Sequence, residues 1–178
     1  GLVGSEMCIR DRTQSMALLE TTGISSGIYG GSINRATASA SGEKYSLSLV
    51  VKHASGGTEL RVRLEGAAFS GNVAGIAVDT SDGTFLSNSN VAPDDYSIES
   101  YGNGFYKITI SATTVASGTV TPVFYGNKAG DADFYIGMAQ LEAGSFPTSY
   151  IKSNSGSTTT RSADAVSYTH LTLPTKDG

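Results

Sequence analysis

Glu59-Leu-Arg-Val-Arg-Leu-Glu65 is the stretch that decides the fold. Leu60, Val62 and Leu64 alternate with Glu59, Arg61, Arg63 and Glu65, so every second side chain is apolar. In an extended chain successive side chains point to opposite faces, and this pattern gives one oily face and one wet face. On a helix the same residues would be scattered around the circumference. The segment predicts a strand that turns Leu60, Val62 and Leu64 into a core.

The pattern repeats on both sides. Tyr45, Leu47 and Leu49 alternate with Ser46 and Ser48, and Tyr106, Ile108 and Ile110 alternate with Phe105, Lys107 and Thr109. Further β-like runs cover residues 75–79, 119–125 and 133–141, with weaker ones at 33–40 and 96–101. Between them stand Ser41-Gly42, Ser55-Gly56-Gly57, Ser81-Asp82-Gly83, Gly102-Asn103-Gly104 and Ala116-Ser117-Gly118, the residue types that tight turns require. Pro122 falls inside a run and marks its strand as an edge or a bulge. Gly, Ser, Thr and Ala are abundant while Leu, Glu and Lys are sparse, which suits short strands and suits helices poorly. The reading is all-β, an antiparallel sandwich or barrel. Residues 24–151 form the domain. Residues 13–23, of which 13–20 have weak helical character, read as a linker or the tail of a preceding domain, and the Ser/Thr-rich residues 152–165 read as a second linker.

The two ends are read apart from the rest. Residues 1–12 and 166–178 look like translated sequencing-adapter DNA. Met7-Cys-Ile-Arg-Asp11 can be encoded as ATG TGT ATA AGA GAC, whose reverse complement, GTC TCT TAT ACA CAT, encodes Val166-Ser-Tyr-Thr-His170. Added segments of this kind are set aside in fold reasoning. Cys8, the one cysteine, and His170 go with them, leaving His53 as the single remaining histidine. Lys+Arg falls from 12 to 9 without Arg10, Arg12 and Lys176, Asp+Glu from 16 to 13 without Glu6, Asp11 and Asp177, and the net charge stays at −4. Mild acidity without clustered Lys and Arg argues against nucleic acid as a partner. No apolar run approaches the roughly 18 residues a membrane-spanning helix needs.

One string carries a family resemblance: Tyr135-Ile-Gly-Met-Ala-Gln-Leu-Glu-Ala-Gly-Ser-Phe-Pro-Thr-Ser-Tyr-Ile151, followed by Thr158-Thr-Thr-Arg-Ser-Ala-Asp164. It resembles the end of a lectin-like domain of phage tail-fibre and virion-surface proteins. Lys44-Tyr-Ser-Leu-Ser-Leu-Val-Val-Lys52 resembles an early core strand of that family, and Ile98-Glu-Ser-Tyr-Gly-Asn-Gly-Phe-Tyr-Lys-Ile-Thr-Ile110 its hairpin into a late strand. The resemblance covers nearly all of residues 29–164. It implies a two-sheet jelly roll of the concanavalin or carbohydrate-binding-module type, extracellular on a virion and joined to neighbouring modules. Host-surface glycan is the implied partner, and because tail fibres are usually trimeric a homotrimer is implied too. The chain departs from the family in having no Trp, the strongest sugar-stacking ring. In the closing string, Gln140 and Glu142 alternate with Leu141, Gly144 allows a turn, Phe146 is expected to plug the base of the sandwich, and Tyr150 and Ile151 to pin the outgoing chain.

No set of residues for catalysis stands out. Nucleophile–base arrangements would need His53, which lies at a strand end before Ser55-Gly56-Gly57 and reads as a turn residue. Asp131 with Asp133, and Asp94 with Asp95, are weak candidates for oxygen ligands to a structural calcium, but nothing has EF-hand spacing and solubilising turn acids are the plainer reading. No cofactor is indicated. The candidate ligand site is the polar strand face of Arg61 and Arg63, with Lys107 nearby and an aromatic such as Phe105 or Tyr125, a set able to hold sugar hydroxyls or carboxylates. The plainer alternative is a solvent face with cross-strand Arg–Glu pairs. Three functions follow: a non-catalytic phage adhesion module, a purely structural spacer or trimerisation module, and a carbohydrate-binding module of a secreted bacterial hydrolase.

Overall fold

The computed structural model describes residues 7–8, 15–19, 36–38, 40–126 and 132–151. The five-stranded sheet is built around Glu59–Glu65. There β5 (Glu59–Glu65) lies between β10 (Gly118–Gly126) and β6 (Val73–Asp79), with β3 (Ala36–Ala38) and β7 (Thr84–Asn88) at the edges. Its burial alternates without a break, with Leu60, Val62 and Leu64 fully enclosed. The second sheet runs β1 (Met7–Cys8), β2 (Ser15–Leu19), β11 (Ala132–Ala143), β4 (Lys44–Gly56), β9 (Phe105–Thr113) and β8 (Asp95–Gly102). Every described pairing is antiparallel. The only helical turn among the described residues is a 3₁₀ turn at Ser70–Asn72.

The orders β2-β11-β4-β9 and β3-β10-β5-β6 are those of an eight-stranded jelly roll. The hairpin strands β7 and β8 widen it along one flank. This topology corrects the linker reading of residues 13–23. Ser15–Leu19 is a strand paired with Phe134, Tyr135 and Ile136 of β11, and it supplies the first strand the jelly roll requires. Its weak helical character was a local preference that pairing with the sheet overrides. β7 was also not anticipated, because Thr84-Phe-Leu-Ser-Asn88 has no alternation.

Between the sheets Tyr45, Leu47, Leu49 and Val51 of β4 and Ile108 and Ile110 of β9 meet the β5 leucines, Ile76, Val78, Val120, Phe124 and Phe134. Pro122 faces this core. β3 pairs only with Gly118, Thr119 and Val120, so from Thr121 onward β10 has no described neighbour on that side, an edge position that tolerates proline. Gly83 shows how the sheets lock at the β7–β8 flank. It sits at φ 76°, and a Cβ there would stand 2.3 Å from the Tyr106 ring.

β11 carries the feature that matters most for its closing string. Gly137 pairs with Val50 and Gln140 with Ser48, so three steps on β11 oppose two on β4. The extra residue is a β-bulge centred on Met138, at φ 54°. One added residue reverses the facing of everything after it. Phe134 and Ile136 point inward before the bulge and Leu141 after it, which leaves Gln140 and Glu142 on the outer face.

Candidate functional site

The β5 arginines stand on the outer face of the five-stranded sheet. The register sets Arg61 opposite Tyr125 and Arg63 opposite Val123, so Arg63 is diagonal to Tyr125. The Arg63 guanidinium lies over the Tyr125 ring, 4.9 Å from its centroid. Arg63 Nε donates to Ser89 Oγ at 3.0 Å, and its Nη1 donates to Glu65 Oε1 at 3.4 Å. Gly75 opposite Arg63 makes room, since a Cβ there would meet Arg63 Cγ at 2.7 Å and the Val62 carbonyl at 2.3 Å. Arg61 Nε donates to Glu59 Oε1 at 2.8 Å. The Glu59 carboxylate holds the Arg61 guanidinium above its ordinary range, with Tyr125 adding a smaller push in the same direction. Although it faces outward, Tyr125 is only 3% exposed, and the Arg63 side chain only 13%. Around Arg63 and Tyr125 the face is closed upon itself, while the Arg61 side chain stays 34% exposed.

Lys107 does not join it. It lies on β9, on the outer face of the opposite sheet, across from Val50 and Glu99. Arg61 and Lys107 both point outward, but from two sheets with the whole core between them. Phe105 is likewise on that far face. It is buried with Val50 under Tyr135 and Met138, and Lys52 Nζ lies 5.1 Å from its ring centroid.

The acidic candidates are each held locally. Asp133 accepts from Ser55 Oγ at 2.8 Å, and Asp131 lies outside the described residues. Thr113 Oγ1 donates to Asp94, and Lys44 Nζ is 3.8 Å from the same carboxylate. Asp95 accepts the backbone N–H of Tyr96 at 2.8 Å. Among the described residues no three His, Cys, Asp or Glu side chains converge as metal ligands would. His53 sets Nε2 3.2 Å from the Gly56 carbonyl, edge-on to Phe134.

Two features escaped the sequence reading. On the β7–β8 flank Phe85 stacks on Tyr96, with centroids 5.0 Å apart and planes 19° from parallel. Both rings stay partly open to solvent, at 39% and 42%, and Leu86 and Tyr101 are exposed on the same two strands. The only hint in the sequence was an aromatic just after Asp82-Gly83 and another just after Asp94-Asp95. The second is the pair of side-chain clamps in the closing string. Glu142 accepts Thr148 N–H at 2.8 Å and Thr148 Oγ–H at 2.6 Å, and Gln140 Oε1 accepts Ile151 N–H at 2.8 Å. Of Tyr150 and Ile151, both expected to pin the chain, Ile151 is tied through its backbone N–H. Phe146 does not plug the base: it is 74% exposed, because the turn at Gly144 carries the chain onto the outer face instead of under the sheets.

No family model matches the chain, and no curated protein matches it. Among solved structures it is similar to the tripod (BppUct-A-L) from the baseplate of bacteriophage Tuc2009, at 13% identity and a TM-score of 0.34. That similarity covers 79% of this chain and 50% of the other, so the chain spans about half the length of that neighbour.

Proposed function

We propose that the chain is a non-catalytic module of a phage tail or other virion-surface protein, whose role is to hold and present a surface that adheres to host glycan. The observation that carries the reading is the use made of its most family-like string. Gln140 and Glu142, the residues there most capable of chemistry, are engaged in fastening the chain that leaves the sandwich. The arginine face is likewise spent on Tyr125, Ser89 and the two glutamates, so it is a poor receptor for a sugar acid. The flank of Phe85 and Tyr96 takes its place in the proposal. Rings with an open face accept the C–H side of a pyranose, and Tyr hydroxyls offer a polar handle.

The test is a glycan array and a host-cell pull-down with residues 1–178, repeated with Phe85→Ala/Tyr96→Ala and with Arg61→Ala/Arg63→Ala. Binding that is lost about tenfold or more in the aromatic variant and kept in the arginine variant supports the proposal. Loss in the arginine variant alone returns the site to β5. No binding to any glycan or host surface removes adhesion and leaves a structural module.

A further inference from the structure

We propose that residues 144–151 form a latched strap that opens and closes as a unit while the sandwich beneath stays folded. The strap leaves β11 at Gly144, whose N–H donates to the Lys44 carbonyl at 2.8 Å, and then doubles back over the outer face. It is fastened near its middle by Glu142 to Thr148 and at its end by Gln140 to Ile151. Apolar packing contributes little to holding it. No residue of 144–151 belongs to the described core, and its one phenylalanine, Phe146, is the most exposed large apolar side chain described. Segments with few buried apolar contacts and side-chain anchors are those that open locally well below the cost of global unfolding.

What lies under the latch sets its balance. Ser46 pairs with Glu142 and Ser48 with Gln140 across the β4–β11 ladder, and Ser111 pairs with Ser46 on the other side. These three serines point away from the core, yet all are buried. Ser46 Oγ has no hydrogen-bond partner among the described residues. A buried hydroxyl left unsatisfied favours any state that returns it to water, so the Glu142 and Gln140 clamps act against a polar floor that favours release. The bulge at Met138 is what makes the device: without the extra residue, Gln140 and Glu142 would face the core and no clamp would exist. Opening would bare a stripe of serines on β4 and β9 and free the direction in which the chain leaves at Ile151. The inference stands on this geometry and is independent of glycan binding.

Amide hydrogen exchange on the full chain tests it. In the wild type the Thr148 and Ile151 amides are expected to be protected, yet to exchange about a hundredfold faster than amides inside β4 and β9. Glu142→Ala should speed the strap amides a further tenfold or so and leave the β4 and β9 amides unchanged, with Glu142→Gln intermediate because it keeps one acceptor oxygen. Ser46→Ala, which removes the unsatisfied hydroxyl, should slow the strap amides by roughly fivefold. Strap amides that exchange together with β4 and β9 in every variant would show an integral part of the sandwich and overturn the proposal. Unprotected strap amides in the wild type would overturn it too, since no latch would then be closed.

Discussion

The two outer faces of the sandwich look alike in sequence, each a strand of alternating polar residues, and they are built on opposite plans. On the five-stranded sheet the charges are held among themselves: Arg63 covers Tyr125, and Glu59, Glu65 and Ser89 each accept one guanidinium N–H. On the six-stranded sheet the buried polar groups are small serines, Ser46, Ser48 and Ser111, and a later part of the chain is tied back near them through Glu142 and Gln140. The first face is closed by long side chains whose partners sit on the same strand, on the neighbouring β10, or at Ser89 just past β7. The second is closed by a segment that arrives from 11 residues further along the chain, to judge by the Gln140–Ile151 bond. A charged strand face is therefore no sign of a ligand site until its partners are known.

Both plans rest on one core, and the largest effect is expected there. Leu64→Ala removes a fully enclosed side chain between the sheets and should cost about 2–5 kcal/mol, read as a lower midpoint in urea unfolding. Both faces should fail together in that variant. A transition in which the strap face survives and the arginine face melts would break the picture of one shared interior. The comparison sharpens with a pair of single changes on opposite faces. Arg63→Ala uncovers Tyr125 and leaves Ser89 without its donor, at about 1–2 kcal/mol, with a rise in the accessibility of Tyr125 to a collisional quencher. Lys107→Ala, opposite Glu99 on the far sheet, should fall within about 0.5 kcal/mol of the wild type. Equal effects from the two would mean that the β5 arginine is as idle as a surface lysine.

The all-β class and most strand positions were legible because alternation is a local signal. Glu59–Glu65 came out at its expected bounds, and the alternating run from Phe105 to Ile110 extends to Phe105–Thr113. What stayed hidden depends on pairing at long range. Ser15–Leu19 has no alternation of its own and becomes a strand only because β11 offers it an edge. Lys107 was grouped with the arginines because facing can be read from a strand pattern, while the sheet to which a strand belongs cannot. The outward facing of Gln140 and Glu142 agrees with their alternation around Leu141, but the bulge that produces it left no mark a reader could use: Met138 is not a residue expected at positive φ. Phe146 was misplaced for a related reason, since an aromatic after a glycine turn says nothing about which side of the sheet the turn leads to.

The smallest effect belongs to the edge of the sealed face, where β6 ends at Asp79. Its carboxylate accepts the Ser81 hydroxyl at 2.6 Å and the Ser81 N–H at 2.9 Å. The Ser81 hydroxyl bond, followed by the backbone bond, holds Asp79 below its ordinary value of 3.8, while burial opposes them weakly. A carboxyl depressed in the folded state stabilises the fold above its unfolded value, and that contribution disappears as the pH falls through the folded value. Ser81→Ala removes the larger bond and keeps the smaller, so the Asp79 titration followed by carboxyl NMR should move up toward 3.8 without reaching it. The variant should be slightly less stable than the wild type at neutral pH, and the two should converge in acid, below the folded value of Asp79. A difference that persists or grows in acid would mean that Ser81 acts through the turn backbone and not through the charge. The edge would then be sealed by the conformation of the turn alone.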